Sequence, residues 1–352
     1  MDKFDWDSIE EKVKKTETEQ KSFIDDRFWK LTYNKEKGMS TSVLRFLPQP
    51  GIFENRDLEN YVEISKHSIF IGKKGAFTGI YAENCPETLS PVTSKELVRK
   101  ISPLNDLQRV LFFREGNFVQ NQDIKEYTSK EIAAREESKI FRSKKKYITN
   151  MKVVFESENE DNAGLHFLYE FGPQVMNFID SKTNLTEEMK LQMAQLGEEP
   201  QKLYNPMAKG WNIKLVAKKT EKNFAYETDI DVQKQVASFD SGEEAVEFIK
   251  NNCVDLSEFT DPNNFLTYEE LLVKAIKLLK NYKPKFMDEA DFRKVIVELF
   301  GNIYGETEEK NVQETKTEVA ETTIASVASV TETTETKETS VDDDIDDFLN
   351  GL

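Results

Sequence analysis

Cysteine and histidine are scarce in this chain, with two of each among 352 residues. Cys85 and Cys253 lie far apart, so a disulfide framework is not expected and a reducing compartment suits the chain. No apolar run approaches the ~20 residues needed to cross a bilayer. The opening stretch, MDKFDWDSIEEKVKK, carries acids and no apolar core, so it does not read as a secretory signal. Catalytic signatures are missing too. There is no HExxH and no GxSxG, and IGKKGAFTG lacks the spacing of a phosphate-cradling loop. Carboxylates are so abundant that any pair of them is uninformative. An enzyme is not expected.

What the chain has in excess is negative charge, and that charge is uneven. The formal net charge is −17, with 38% apolar and 32% charged residues. Residues 306–352 hold fourteen acids against three lysines, which leaves only −6 for the preceding 305 residues. The distribution is therefore a better guide to partners than the total.

Four regions follow from the patterning. Residues 1–25 are polar and read as an arm. Residues 26–240 contain short alternating runs (RFWKLTY, SVLRFLP, YVEISKHSIFIG, YITNMKVVF, LHFLYEF, WNIKLVAKK), the pattern of half-buried strands in an antiparallel sheet or barrel. GKKG at 72–75 reads as a hairpin turn. Helices are expected in SKELVRKI, with Ser94 as N-cap, and in GPQVMNFID, with Pro173 at the first helical position. The stretch QDIKEYTSKEIAAREE reads as helical or loose. Residues 241–305 switch to a helical period and are expected to pack on the β core, giving an α+β chain. Residues 306–352 are low-complexity Thr, Glu, Val and Ser, a composition expected to be disordered.

Three basic clusters stand out. SKIFRSKKKYITNMKVVF at 138–155 holds six basic residues and no acid, among them Arg142, Lys144, Lys145 and Lys146 just before Tyr147. It reads either as a phosphate-binding strand with a ring for a base or as a solvated strand edge. KGWNIKLVAKKTEKNFAY at 209–226 carries Lys209, Lys214 and Lys218, interleaved with rings that include Phe224 and Tyr226. Lys66, Lys73 and Lys74 lie in a stretch without acids from Ile64 to Ala82. Arg45 sits among apolar neighbours, and Tyr169 and Phe171 share a strand face as either paired platforms or core aromatics. Together, lysines for phosphates and rings for bases describe sequence-tolerant binding of single strands.

The chain closes with DDDIDDFLNGL. Ile345, Phe348, Leu349 and Leu352 fall on one helical face among aspartates. This end suits a partner's groove with a basic rim, a phosphate mimic over the protein's own basic surface, or simple solubilisation.

VLRFLP at 43–48, the basic block before Tyr147, YEFG at 169–172, VDLSEFT at 254–260 followed by TYEELLVK, and the terminal DDDIDDFLNGL occur in an order that resembles the single-stranded-DNA-binding, helix-destabilising proteins of T-even-type bacteriophages. The resemblance implies an OB-type barrel with an embedded subdomain near 60–100, and DNA contacts at Arg45, Arg142, Lys144, Tyr147, Tyr169, Phe224 and Tyr226. Ile148 stands where a second ring is usual. The family's zinc site has one histidine and three cysteines. Here His67 and Cys85 remain, but Ser90 and Thr93 replace the paired cysteines, so no zinc and no other cofactor is expected. The resemblance also implies cooperative self-association through the arm, where KKTET offers Lys14, Lys15 and Thr16. It further implies an acidic tail that recruits polymerase, helicase loader, primase or recombination factors.

The expected function is coating of unwound strands during viral replication, recombination and repair, in the cytoplasm of an infected bacterium. The alternative is an interaction scaffold that has lost DNA binding. No membrane partner is expected.

Overall fold

The computed structural model describes residues 25–32, 36–73, 76–89, 96–119, 123, 126–197, 202–207, 210–219, 226–234, 239 and 241–304. Outside them lie Lys14, Lys15 and Thr16 of the arm, and Ile345, Phe348, Leu349 and Leu352 of the tail. Lys74, Ser90, Thr93, Lys209 and Phe224 also lie outside.

The strands are β1 (Phe28–Trp29), β2 (Met39–Leu47), β3 (Val62–Lys73), β4 (Ala76–Asn84), β5 (Lys144–Glu156), β6 (His166–Phe171), β7 (Trp211–Lys219) and β8 (Tyr226–Lys234). The helices are α1 (Pro103–Arg109), α2 (Ser129–Phe141), α3 (Pro173–Thr183), α4 (Glu187–Gln195), α5 (Gly242–Asn252), α6 (Tyr268–Lys280) and α7 (Glu289–Phe300). A π-helical stretch, Val110–Glu115, continues α1. One sheet runs β1-β6-β5-β2-β7-β8, with β3 pairing both β4 and β5. β1 pairs with β6 in parallel, while β2–β5, β2–β7, β5–β6, β7–β8 and β3–β4 are antiparallel.

The α+β class stands, but the sheet is open rather than closed into a barrel. β1, only two residues long, forms one end and β8 the other. β3 and β4 pair from Lys66↔Asn84 to Lys73↔Ala76.

The chain divides into two compact units, each assembled from separated segments. The first takes in the described residues between 66 and 144 and between 265 and 304. Its core joins Ile69 and Tyr81 of the β3–β4 hairpin to Leu104 and Leu107 of α1, Phe141 of α2, and the apolar faces of α6 and α7. Thr128 with Glu131 and Thr267 with Glu270 form reciprocal caps that satisfy orphan N–H groups at the starts of α2 and α6. Buried Glu137 accepts from the Tyr282 hydroxyl and from the N–H groups of Lys285 (2.8 Å) and Phe286 (2.7 Å), fixing the α6–α7 connection against α2.

The second unit takes in the described residues between 25 and 65 and between 145 and 264. Leu44 and Phe46, Met151 and Val153, Tyr169 and Phe171, and Ile213 and Leu215 alternate inward from four strands. α3 covers them with Val175, Met176 and Ile179, starting at Pro173 as expected. A smaller cluster on the opposite face of β5 joins Ile148 to Ile64, Leu168 and Leu256.

The helix expected from Ser94 is not found: the described residues 96–102 form no helix, and α1 begins at Pro103. The Asp106 carboxylate takes the N–H groups of Arg99 (2.9 Å) and Lys100 (3.1 Å), turning that segment back on the helix start. Lys100 has φ 55°, outside the helical region.

Candidate nucleic-acid interface

Strand alternation sorts the basic start of β5. Tyr147, Met151 and Val153 point to the core under α3, whereas Ile148 points to the opposite cluster. Lys145 therefore shares the Tyr147 face and Lys146 the Ile148 face. Both lysines have local carboxylates: Lys145 Nζ lies 2.8 Å from Glu63, and Lys146 Nζ lies 4.0 Å from Glu170.

Tyr147 ends a connected set of rings. It meets Tyr61 edge-on at 5.9 Å and stacks on Phe171 at 5.7 Å and 24°. Phe171 stacks on Phe46 at 6.0 Å and 19° and touches Tyr169 at 5.2 Å, and Tyr169 meets Trp29 edge-on at 5.3 Å. Tyr169 and Phe171 are buried, so the pair considered as a surface platform belongs to the core. The end open to solvent is Tyr61 with Tyr147, both half-buried. Burial, with Glu63 nearby, pushes the Tyr147 phenol up to about 12. Burial with Glu59 and Asp180 also raises Tyr61. At neutral pH both rings are uncharged. Tyr61 was not singled out from sequence, because only long-range pairing places it beside Tyr147.

Arg45 needs correction. It is 0% exposed between the strands that flank β2, with Nε donating to Asn212 Oδ1 (2.9 Å) and Nη1 to the Asn205 carbonyl (2.5 Å). Burial lowers its pKa to about 10, which still leaves it charged at pH 7. A Cβ on buried Gly210 would collide with Arg45 Nη1 and the Asn205 carbonyl, so only glycine admits the guanidinium. It is an interior cation held by amides.

The second basic cluster meets an acidic strand. β8, not foreseen from sequence, sets Asp231 in register with Lys214 and Glu227 with Lys218. Lys214 is half-buried and Lys218 exposed, and Tyr226 starts β8 opposite Lys219. In the first unit, Arg142 is exposed at the end of α2. There Lys144 is half-buried at the start of β5, Lys66 is half-buried opposite Asn84, and Lys73 ends β3. The expected contacts are thus divided between the two units.

A family model, gp32 DNA binding protein like, matches residues 38–279. The chain belongs to this gp32-like DNA-binding family. The match takes in every strand from β2 to β8 and most of both units. A relative, the single-stranded DNA-binding protein of Enterobacteria phage T2, is 26% identical over 251 residues, which is 71% of this chain and 69% of the relative.

His67 and Cys85, which the resemblance assigns to a zinc site, do not fit the ion. His67 is buried against Tyr81 (5.7 Å, edge-on), with Nε2 3.2 Å from Ser102 Oγ, and desolvation pulls its pKa down to about 4. Desolvation pushes the buried Cys85 thiol up to about 11, and Asn105 Nδ2 donates to Sγ at 3.2 Å. Asn105 also donates to Glu87 (2.7 Å), which pairs with Arg109 (2.7 Å), itself paired with Asp106 (2.6 Å). Hydrogen bonds and ion pairs knit these residues together. Among the described residues, no group of three or more His, Cys, Asp or Glu is placed to hold a metal. Two ligands do not close a tetrahedral site.

Gly210→Ala is expected to lower stability by about 1–3 kcal/mol through overpacking against Arg45, measurable as a reduced denaturation midpoint. Purified protein is expected to carry well below one zinc per chain and to melt at the same temperature with and without EDTA. Stoichiometric zinc in elemental analysis would overturn the poor fit.

Proposed function

We propose that this chain binds single-stranded DNA without catalysis and with little sequence preference. The observation that carries the reading is the solvent-facing end of the ring set, where Tyr61 meets Tyr147 and Lys145 shares the strand face of Tyr147. A base stacks on a neutral phenol ring while its phosphate takes Lys145 from Glu63. That exchange is inexpensive, because an exposed ion pair contributes only ~0–1 kcal/mol and phosphate neutralisation releases condensed counterions. The family match supports the reading, as does the likeness to the single-stranded DNA-binding protein of phage T2.

The remaining roles rest on the resemblance: coating strands in viral replication, recombination and repair within the host cytoplasm, cooperative self-association through residues 1–25, and recruitment of replication proteins by residues 306–352. A second reading, an interaction scaffold without DNA binding, is favoured by the pairing of Lys145 and Lys146 with local carboxylates and by the acids of β8 in register with Lys214 and Lys218.

Titration with fluorescent oligo(dT) separates them. Binding should be micromolar or tighter, much weaker for duplex, and should fall with salt at a log–log slope of about −0.7 per phosphate neutralised. Tyr147→Ala should weaken binding by about 1–3 kcal/mol. No binding to oligo(dT) at low salt selects the scaffold.

Deleting residues 306–352 removes a net charge of −11 and should raise affinity for oligo(dT). Unchanged or reduced affinity would exclude the tail as an internal phosphate mimic.

A further inference from the structure

The β3–β4 hairpin has two unlike faces. Inward, Ile69 and Tyr81 join the core with Leu278 and Leu279 of α6. Outward, Phe70 is 52% exposed, Ile80 44% and Phe77 41%. Large apolar groups gathered on one solvent face of a sheet mark a contact surface more often than an accident of packing.

The arrangement depends on a bulge. Phe70 pairs with Ile80 and Ile71 with Gly79, but Gly72 then pairs with Phe77, skipping Thr78. Regular alternation would put Phe77, three residues from Ile80, on the inner face. The extra residue turns it outward, with Gly72 absorbing the distortion at φ 102°. The Phe77 ring then lies 5.3 Å from that of Phe70 at 45°, so the two are not stacked face to face on each other.

Charge indicates the occupant. In a chain of net −17, the segment from Ile64 to Ala82 contains Lys66, Lys73 and Lys74 and no acid. Rings within a basic, acid-free hairpin suit a flexible polyanion that carries its own flat apolar groups.

We propose that the outer face of the β3–β4 hairpin is a second nucleotide platform, on which Phe70 and Phe77 stack against bases of the bound single strand. This rests on the single-stranded-DNA reading above and extends it to the other compact unit, where no contact of this kind was expected. The rings read bases and the lysines serve the phosphates, so an abasic strand loses what the rings contribute.

The test uses the full-length chain with oligo(dT) of increasing length and with abasic strands of matched length. Phe70→Ala/Phe77→Ala should weaken binding to long oligo(dT) by roughly ten-fold or more, with little effect on abasic strands. Phe77→Trp should show indole quenching by oligo(dT) but not by abasic strands, and this readout decides the matter if the double variant fails to fold. Wild-type binding with an unaffected double variant and no Phe77→Trp quenching overturns the platform and leaves the Tyr147 surface standing. A double variant that changes only the oligomeric state assigns the face to contacts between copies and also overturns it. Failure of wild-type protein to bind any oligo(dT) overturns the functional reading itself.

Discussion

The second unit depends on the two-sided burial of β5. Within one strand, Met151 and Val153 fill the core beneath α3, while Ile148 closes the cluster with Ile64, Leu168 and Leu256. A strand buried on both faces cannot slip by one residue without moving each side chain into the wrong cluster. That constraint fixes where Lys145 and Tyr147 emerge. Polar residues inside the strand are used as clamps. Asn150 accepts the N–H of Val254 (2.9 Å) and donates to its carbonyl (2.9 Å), while His166 Nε2 lies 2.9 Å from the same side chain. The exposed start of β5 is therefore held by its buried middle.

Electrostatics in so acidic a molecule work by exchange. Lys145 and Lys146 pair with nearby carboxylates, and Lys214 and Lys218 stand in register with Asp231 and Glu227 of β8. Buried charges are arranged differently. Arg45 is held by amide oxygens, and Glu156 accepts from Trp29 Nε1 (3.1 Å), Thr32 Oγ1 (2.7 Å) and Asn162 Nδ2 (2.7 Å). Interior charges held by neutral dipoles stay put even where, as at Arg45 Nη2, one donor is buried without a hydrogen-bond partner, because removing one group of such a set strands the other. Surface pairs can change partners at little cost. The same chain thus combines a fixed interior with a negotiable exterior.

Local pattern made much of this legible. The alternation in SVLRFLP, YITNMKVVF, LHFLYEF and WNIKLVAKK appears as β2, β5, β6 and β7, and the helical period after residue 241 as α5, α6 and α7. The hairpin read from GKKG appears as the antiparallel pair β3–β4. β8 was hidden because Glu227, Asp229 and Asp231 are residue types depleted in strands. Arg45 could not be placed from its neighbours alone: its partner Asn212 is 167 residues away, and the space it fills exists because residue 210 is glycine. Tyr169 and Phe171 were correctly assigned to one face, but which face was covered depended on α3 and β2 packing over it.

The interleaving of the two units has a consequence for how the chain matures on the ribosome. Neither unit is continuous in sequence: residues 66–144 interrupt the second, and residues 145–264 interrupt the first. The second has all its described segments once Asn264 has emerged. The first must wait for Phe292, Val295 and Ile296 of α7 to cover Ile69, Tyr81 and Leu107. During that interval the hairpin and α1 expose apolar surface with no cover from α6 or α7, a state prone to wrong association. For the same reason no contiguous fragment ending before α7 contains the whole described core of the first unit.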